Sequence, residues 1–209
     1  VAQTRKPIIL STGMATLAEI AHALEVLDKN GAGPTILLHC CSSYPASLKS
    51  INLNAMLEMG THFNNLVGFS DHTIGTIAPL TAIAMGAVAI EKHYTSDPSR
   101  DGPDHRFSAT PKIMKKIAKG VDDIMELRGH SQKGSGPEEI INKAIGRRSA
   151  FASKDLSIGT ILTQDNMRFI RPNSGIPAND VSGVLGKRLT QAVLQGHPIT
   201  YADISASSE

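Results

Sequence analysis

The first part of this chain repeats one pattern four times: a short apolar segment, a polar or glycine-bearing loop, and a stretch with helical spacing. The apolar segments are Pro7–Ser11, Thr35–Cys40, Leu66–Ser70 and Ala87–Lys92. Nearly continuous apolar runs are typical of parallel strands that are covered by helices. Thr16 and Glu19 form a capping-box signature ahead of the first predicted helix. Four βα units predict an α/β fold, either half of an eight-stranded barrel or one open parallel sheet.

The chain changes character after this repeat. Residues 129–148 begin with the polar, glycine-rich run GHSQKGSGP, which predicts a linker, followed by a short helical stretch at 138–144. Beyond it, four short β segments alternate with turn residues, at Ala150–Ser153, Ile161–Leu162, Met167–Ile170 and Ala192–Leu194. We therefore predict a βα domain over residues 1–128, a linker over 129–148 and a compact, helix-poor domain over 149–209.

Composition argues against several functions. The formal net charge of the 209 residues is only +2 and tryptophan is absent, so we predict neither a nucleic-acid nor a membrane-surface partner. Cys40 and Cys41 are the two cysteines and are adjacent, which fits a reducing compartment such as the cytoplasm. No apolar stretch approaches the roughly 18 residues of a membrane span. Val1 stands where an initiator methionine is expected, so we interpret the sequence as a piece of a longer chain.

Polar residues collect at the carboxyl ends of the third and fourth predicted strands. Strand side chains alternate between faces, which puts Ser70 and His72 together on one side. The same count places Glu91 and His93 together on the fourth strand, with Lys92 on the opposite face. Two neighbouring strands therefore each direct a histidine and a second polar group toward one space.

The first two strands offer polar groups in the same phase. Ser11 lies on one face of the first strand, and Ser42 and Tyr44 fall on the matching face after the second. In parallel α/β folds, ligands bind beyond the carboxyl ends of the strands. We therefore predict one binding site that all four strand ends share.

His72 and His93 suggest a metal site. Neutral imidazole binds divalent transition metals well, and two protein ligands leave positions open for water and substrate oxygens. Glu91 could hold a metal-bound water or act as a base, and Asp104 follows the last strand in the segment Gly-Pro-Asp-His. The alternatives are histidines with a structural role, an aspartate that only closes a turn, and serines that only cap helices.

Other reactive side chains are weaker candidates. Lys6 and Lys92 could form Schiff bases, but Lys92 points to the helix side by its phase. Cys40 and Cys41 lack a clear partner other than His39, whose phase differs from that of Cys40. The remaining histidines have the character of ordinary surface positions, namely His22, His62, His130 and His197.

Five linked motifs give the chain a family resemblance. In order and spacing, KPIILSTGMAT, LLHCCSSYP, VGFSDHTIG, AVAIEKHYT and GPDHRFS resemble the sialic acid synthase family. The stretch that starts SAFASKDLSIGTILTQDNMRFIRP resembles that family's antifreeze-like (SAF) domain. The resemblance implies the C-terminal half of a (β/α)8 TIM barrel followed by a small β-clip domain. It also implies condensation of phosphoenolpyruvate with an N-acylated amino sugar of the N-acylmannosamine type.

The resemblance assigns roles to residues of this chain. It implies Mn²⁺ or Mg²⁺ on His72 and His93, and it implies catalytic roles for Glu91 beside the metal and Asp104 facing the sugar. Substrate-binding roles fall to Ser11, Ser42, Tyr44, Ser70 and Arg171. Arg171 matches an arginine that the small domain lends to a neighbouring subunit, which implies a domain-exchanged homodimer.

Departures and alternatives accompany this expectation. Ser42 stands where some members carry Asn, and the first half of the family's barrel is absent, so we expect this chain alone to be inactive. Legionaminate, pseudaminate and spore-polysaccharide synthases would share these residues. An ice-binding module and a non-catalytic remnant are the alternatives from other classes.

Overall fold

A computed structural model describes residues 1–205, which divide into a unit of residues 1–130 and a unit that begins at residue 131. The strands are β1 Ile8–Ser11, β2 Thr35–Cys40, β3 Leu66–Asp71, β4 Ile90–Lys92, β5 Ser149–Ala152 and β6 Met167–Ile170. The α-helices are α1 Leu17–Lys29, α2 Leu48–Ile51, α3 Asn54–Phe63, α4 Ile77–Ala84, α5 Pro111–Arg128 and α6 Pro137–Gly146.

The first unit is built on one parallel sheet. Its strands are hydrogen-bonded in the consecutive order β1-β2-β3-β4, and each neighbouring pair is parallel. Consecutive parallel strands joined by helices form the arrangement of a (β/α)8 half-barrel. The register sets Cys40 beside Ser70 and Ser70 beside Glu91, so the carboxyl ends of the strands lie at one level.

Apolar side chains on the helix-facing side of the sheet form the core of this unit. Leu37, Met56 and Phe69 are completely buried there. The predicted capping box of α1 is present, because Glu19 Oε2 accepts a hydrogen bond of 2.7 Å from the backbone of Thr16. Helices therefore cover one face of the sheet and leave the strand ends to carry the polar residues.

The fourth strand is shorter than the predicted Ala87–Lys92. Gly86 has a φ of 110°, a conformation that favours glycine, and turns the chain at this point. Residues 87–89 then approach β3 through single hydrogen bonds, from Val88 N to Val67 O (2.8 Å) and from Phe69 N to Ala89 O (2.9 Å). Regular strand pairing begins only at Ile90.

The second unit has its own core around an antiparallel pair, β5 and β6. Two of the predicted β segments are isolated bridges rather than strands, since Ile161 pairs only with Arg188 and Val193 only with Leu156. Helix α6 lies within the predicted linker and is longer than its predicted bounds of 138–144. Among the helices of residues 1–205, none combines the length and the apolar character needed to cross a membrane.

Candidate active site

A row of polar side chains crosses the carboxyl ends of all four strands in the first unit. Ser11 Oγ lies 3.5 Å from Cys40 Sγ, and Cys40 is the register neighbour of Ser70. Ser70 Oγ in turn donates a hydrogen bond of 2.7 Å to Glu91 Oε1. One contact leads to the next from β1 to β4, as the common phase of these residues predicts.

The loop after β1 packs closely against the loop after β2. A Cβ atom at Gly13 would collide with the Ser42 hydroxyl and the Cys40 thiol. Glycine therefore lets the two loops approach without displacing the Ser42 hydroxyl or the Cys40 thiol.

His72 and His93 lie one residue beyond the ends of β3 and β4. Their ring centres are 5.3 Å apart, and the ring planes are inclined by 59°. His72 is 7% exposed, whereas the side chain of His93 is 34% exposed. The alternation of strand side chains brings these two imidazoles together from neighbouring strands.

The backbone fixes the tautomer of His72. Its Nδ1 lies 2.9 Å from the carbonyl oxygen of Cys41. Because a carbonyl can only accept, Nδ1 carries the hydrogen, and the Nε2 of the neutral ring keeps its lone pair. A hydrogen bond from the other ring nitrogen to a backbone carbonyl is the kind of contact that orients a metal-binding histidine.

Aromatic rings and one carboxylate surround the second histidine. Phe107 packs edge-on against His93, with ring centres 5.3 Å apart, and Asp104 Oδ2 lies 3.8 Å from His93 Nδ1. Tyr44 packs on His72 with a centre separation of 4.3 Å and lies 5.9 Å from the ring of His93. The histidine pair thus has two aromatic neighbours and one carboxylate neighbour.

Local hydrogen bonds shape the loop that carries Asp104. Thr95 Oγ1 lies 2.8 Å from His105 Nδ1, which ties the two sides of the loop together. The backbone N–H and the hydroxyl of Ser99 lower the pKa of the Asp97 carboxyl, so the carboxylate form that closes this turn is favoured. Asp104 is half-exposed and free to meet a ligand.

The opposite face of the same strand ends holds a buried ion pair. Lys92 Nζ lies 2.6 Å from Asp71 Oδ2, and the two side chains are 1% and 0% exposed. Lys92 therefore points away from the polar row, as its phase predicts, and its ammonium group is occupied. This argues against Lys92 as a Schiff-base nucleophile, since that reaction needs an accessible amine.

Eight of the nine predicted site residues converge at this end of the first unit: Ser11, Ser42, Tyr44, Ser70, His72, Glu91, His93 and Asp104. Arg171 does not belong to the group, because it lies in the second unit, exposed, directly after β6. A cavity of about 190 Å³ is lined by Ser70, Glu91, Lys92 and His93. Convergence is a property of the fold, and the individual roles stay predictions.

The two histidine rings are close enough to share a metal ion after a small approach of one ring toward the other. With a metal–nitrogen bond of about 2.1 Å, a metal lies roughly 3.2 Å from the centre of a ring that binds it. In the octahedral coordination that Mn²⁺ and Mg²⁺ prefer, two such rings at a right angle have centres roughly 4.5 Å apart, which is shorter than the observed 5.3 Å. Across residues 1–205, no three His, Cys, Asp or Glu side chains gather as a metal-binding group. Water or substrate oxygens would have to supply the remaining ligands.

Sequence reasoning missed two contributors to this site. Phe107 is 3% exposed and contacts both His93 and Tyr44. A single apolar residue within the polar segment Asp-His-Arg-Phe-Ser was the available signal. The second missed contributor is the backbone carbonyl of Cys41. No pattern of side chains in a sequence signals a role for a carbonyl.

Comparison with known proteins identifies the class. Residues 1–133 match the NeuB family and residues 147–205 match the SAF domain. This chain therefore belongs to the NeuB family and carries a SAF domain, which confirms the resemblance seen in its motifs.

Relatives of this chain are synthases with different products. N,N'-diacetyllegionaminic acid synthase of Campylobacter jejuni is 42% identical over 193 residues, which are 91% of this chain and 58% of the relative. Pseudaminic acid synthase of Helicobacter pylori is 32% identical over 206 residues, covering 99% of this chain and 61% of that protein. The chain thus spans about three-fifths of the length of these relatives.

A solved structure is similar as well. The N-acetylneuraminic acid (sialic acid) synthetase of Leptospira borgpetersenii, crystallised with citrate, matches with a TM-score of 0.62 at 37% identity. The match covers 68% of this chain and 49% of that one.

Proposed function

We propose that this chain forms part of a nonulosonic acid synthase that condenses phosphoenolpyruvate with an N-acylated amino sugar of the N-acylmannosamine type. One observation carries the proposal: His72 and His93 face each other beside a polar row, at the strand ends of a NeuB-family chain. The relatives' different products support the substrate class and leave the particular sugar open.

We also propose that the first unit is half of a (β/α)8 barrel. Both outer strands support this, because β1 and β4 each pair on one side only among the described residues. Unpaired strand edges favour the addition of further strands, and a closed barrel has no edges. Ile9, which shares a face with Ser11, is 61% exposed, as an inward barrel residue would be before closure.

A divalent ion on His72 and His93, Mn²⁺ or Mg²⁺, would polarise the aldehyde of the open-chain sugar. The remaining site residues would bind and orient the two substrates. C3 of phosphoenolpyruvate forms a bond to the aldehyde carbon, and water adds at C2. Phosphate leaves when the resulting tetrahedral centre collapses to the keto acid. Placing both substrates together contributes several kcal/mol of rate acceleration, up to about 7–11 in favourable cases.

Each polar residue has a role that fits its contacts. Glu91, held by the Ser70 hydroxyl, is placed to orient or deprotonate the water that adds at C2. The hydroxyls of Ser11 and Ser42 lie where they could bind the phosphate or carboxylate of phosphoenolpyruvate. Tyr44 and Asp104 flank the histidines on the side proposed for the sugar.

We further propose that Arg171 binds the sugar from the partner subunit of a domain-exchanged homodimer. Its support is the family resemblance of the segment Ile-Arg-Pro together with the exposure of Arg171. A guanidinium group suits this task because it donates several hydrogen bonds in a fixed plane.

An assay of the protein expressed from its whole reading frame tests the proposal. Phosphate release from phosphoenolpyruvate is measured with Mn²⁺ and with each of several sugars, including N-acetylmannosamine, and the product is identified by mass. We expect release to require both a sugar and the metal. Release without any sugar, or no release with every N-acylated sugar despite bound metal, would overturn the proposal.

A further inference from the structure

The buried pair of Asp71 and Lys92 requires an explanation beyond stability. Transferring two charges into the protein interior costs several kcal/mol, and apolar residues of similar volume are often as stabilising. Both carboxylate oxygens of Asp71 nevertheless have a hydrogen-bond donor. Asp71 Oδ2 accepts from Lys92 Nζ (2.6 Å), and Asp71 Oδ1 accepts from the backbone N–H of Thr73 (2.8 Å).

Lys92 makes a second contact, which connects the ion pair to the backbone on the far side of His72. Its ammonium group also donates to the carbonyl oxygen of Thr73. Asp71 and Thr73 flank His72 in sequence, so one ammonium group holds the residues on both sides of that histidine. Lys92 itself directly precedes His93.

The pair lies at the end of the regular hydrogen bonding between β3 and β4. Asp71 and Lys92 are the last register partners of β3 and β4. One residue further on, the backbones diverge, since the carbonyl of His72 accepts from Ala46 N and that of His93 from Ala109 N. Among the described residues, the contacts of Lys92 are thus the last polar links between the strands before both histidines.

We infer that Asp71 and Lys92 are positioning residues that set the separation and orientation of the His72 and His93 rings. This inference rests on the proposed function for its purpose, a metal site, while its geometry stands alone. A charged clamp suits the task because Asp71, Thr73 and Lys92 leave little freedom to the backbone on either side of His72. Ligands held by such outer contacts bind metal more tightly, typically by 10–100-fold.

The test replaces the whole pair rather than half of it. Removing one partner would strand a buried charge, whereas Asp71→Leu with Lys92→Met keeps apolar volume and leaves no charge unpaired. We expect this double variant to fold but to be less stable than the parent and to melt at a lower temperature, because two Thr73 backbone groups each lose a partner. We expect its affinity for Mn²⁺, measured by calorimetry on the full chain, to fall by about 10–100-fold.

A matched control removes an ion pair elsewhere in the same unit. Lys119 and Asp123 form an exposed pair on α5, with Nζ and Oδ1 2.9 Å apart. Lys119→Met with Asp123→Leu removes the same charges, and we expect Mn²⁺ affinity to stay within twofold of the parent. A crystal structure of the metal-free Asp71/Lys92 variant adds a second measure, in which we expect the ring separation to depart from 5.3 Å.

The outcomes separate this inference from the proposed function. A parent protein that binds no Mn²⁺ would overturn the metal site, and the ring separation alone would then decide the positioning role. A folded double variant with parental Mn²⁺ affinity and an unchanged ring separation would overturn the positioning role. If the double variant does not fold, Lys92→Arg decides: weaker Mn²⁺ binding in a folded protein supports positioning. Parental binding or loss of folding contradicts it.

Discussion

At the scale of single residues, the two histidines are held in different ways. His72 is nearly buried and its Nδ1 is bound to the Cys41 carbonyl, so its ring is fixed before any ligand arrives. His93 is more exposed, and its Nδ1 has only the Asp104 carboxylate 3.8 Å away. A fixed ring beside a more adjustable one would let the proposed metal site close around an ion without strain on both strands.

Substitution of either histidine by alanine therefore tests the metal site. We expect His72→Ala and His93→Ala each to weaken Mn²⁺ binding and lower the condensation rate by about 100-fold or more, since losing an outer-shell partner alone costs 10–100-fold. His72→Ala should also cost about 0.5–1.5 kcal/mol of stability, because one hydrogen bond is lost while the Cys41 carbonyl keeps its bond from Ser43 N. His22→Ala, an exposed change on α1, is the control. Full turnover with unchanged metal content in either site variant would refute the assignment.

A buried carboxylate in the second unit makes its stability depend on pH. Burial raises the pKa of Asp203, but hydrogen bonds from Thr200 and Gln191 outweigh that effect and bring the pKa below its ordinary value of 3.8. A carboxyl with a lower pKa in the folded state stabilises the fold above its ordinary pKa. That stabilisation is lost as the pH falls from about 3.8 through the folded-state pKa.

Asp203→Asn tests this contribution. The amide nitrogen of the variant would face donors that now bond to a carboxylate. We therefore expect the free energy of unfolding to fall by about 1–3 kcal/mol at neutral pH. The difference in unfolding free energy between parent and variant, measured by urea titration, should shrink below pH 3.8. A difference that stays constant down to pH 2 would show that the carboxylate charge is not the cause.

At the scale of elements, one side chain of β5 shapes the segment that carries Arg171. Ser149 is completely buried, and its hydroxyl donates to the carbonyl oxygen of Pro172 (2.8 Å). The hydroxyl oxygen of Ser149 also accepts a hydrogen bond from the backbone N–H of Gly175 (2.9 Å). These two hydrogen bonds fix the backbone that follows Arg171. They are both made by Ser149 of β5, the strand that pairs with β6.

Two substitutions distinguish the effect of Arg171 itself from the effect of Ser149, which shapes its segment. We expect Arg171→Ala to raise KM for the sugar by about 10–100-fold, the worth of a hydrogen bond to a charged group, and to leave KM for phosphoenolpyruvate unchanged. Ser149→Ala should raise KM for the sugar less, and it should lower the stability of the second unit by about 1–3 kcal/mol. A change confined to the affinity for phosphoenolpyruvate would show that the proposed role of Arg171 is wrong.

Sequence patterns predicted which helices and strands form, and which face each strand side chain takes, better than they predicted the lengths of the strands. The four parallel strands and the starts of α1 and α5 follow from apolar runs and capping residues, which are local signals. The convergence of His72 and His93 follows from counting residues along each strand. The short β4 and the isolated bridges at Ile161 and Val193 depend on tertiary hydrogen bonds that local propensity does not encode.

At the scale of the whole molecule, the described chain consists of two units with separate cores. The core of the first unit draws on α1, α3, α4 and the sheet, and the core of the second draws on residues from Ala150 onward. The chain spans about three-fifths of the length of its relatives, and the two histidines proposed for the metal both lie in the first unit.

Diffraction from a crystal grown with Mn²⁺ tests the metal site most directly. We expect one anomalous peak at the manganese edge, within about 2.0–2.3 Å of the Nε2 atoms of both His72 and His93. Water or substrate oxygens should complete the coordination. An absent peak, or a peak away from these rings while they keep their present separation, would contradict the assignment of this pair as a metal site.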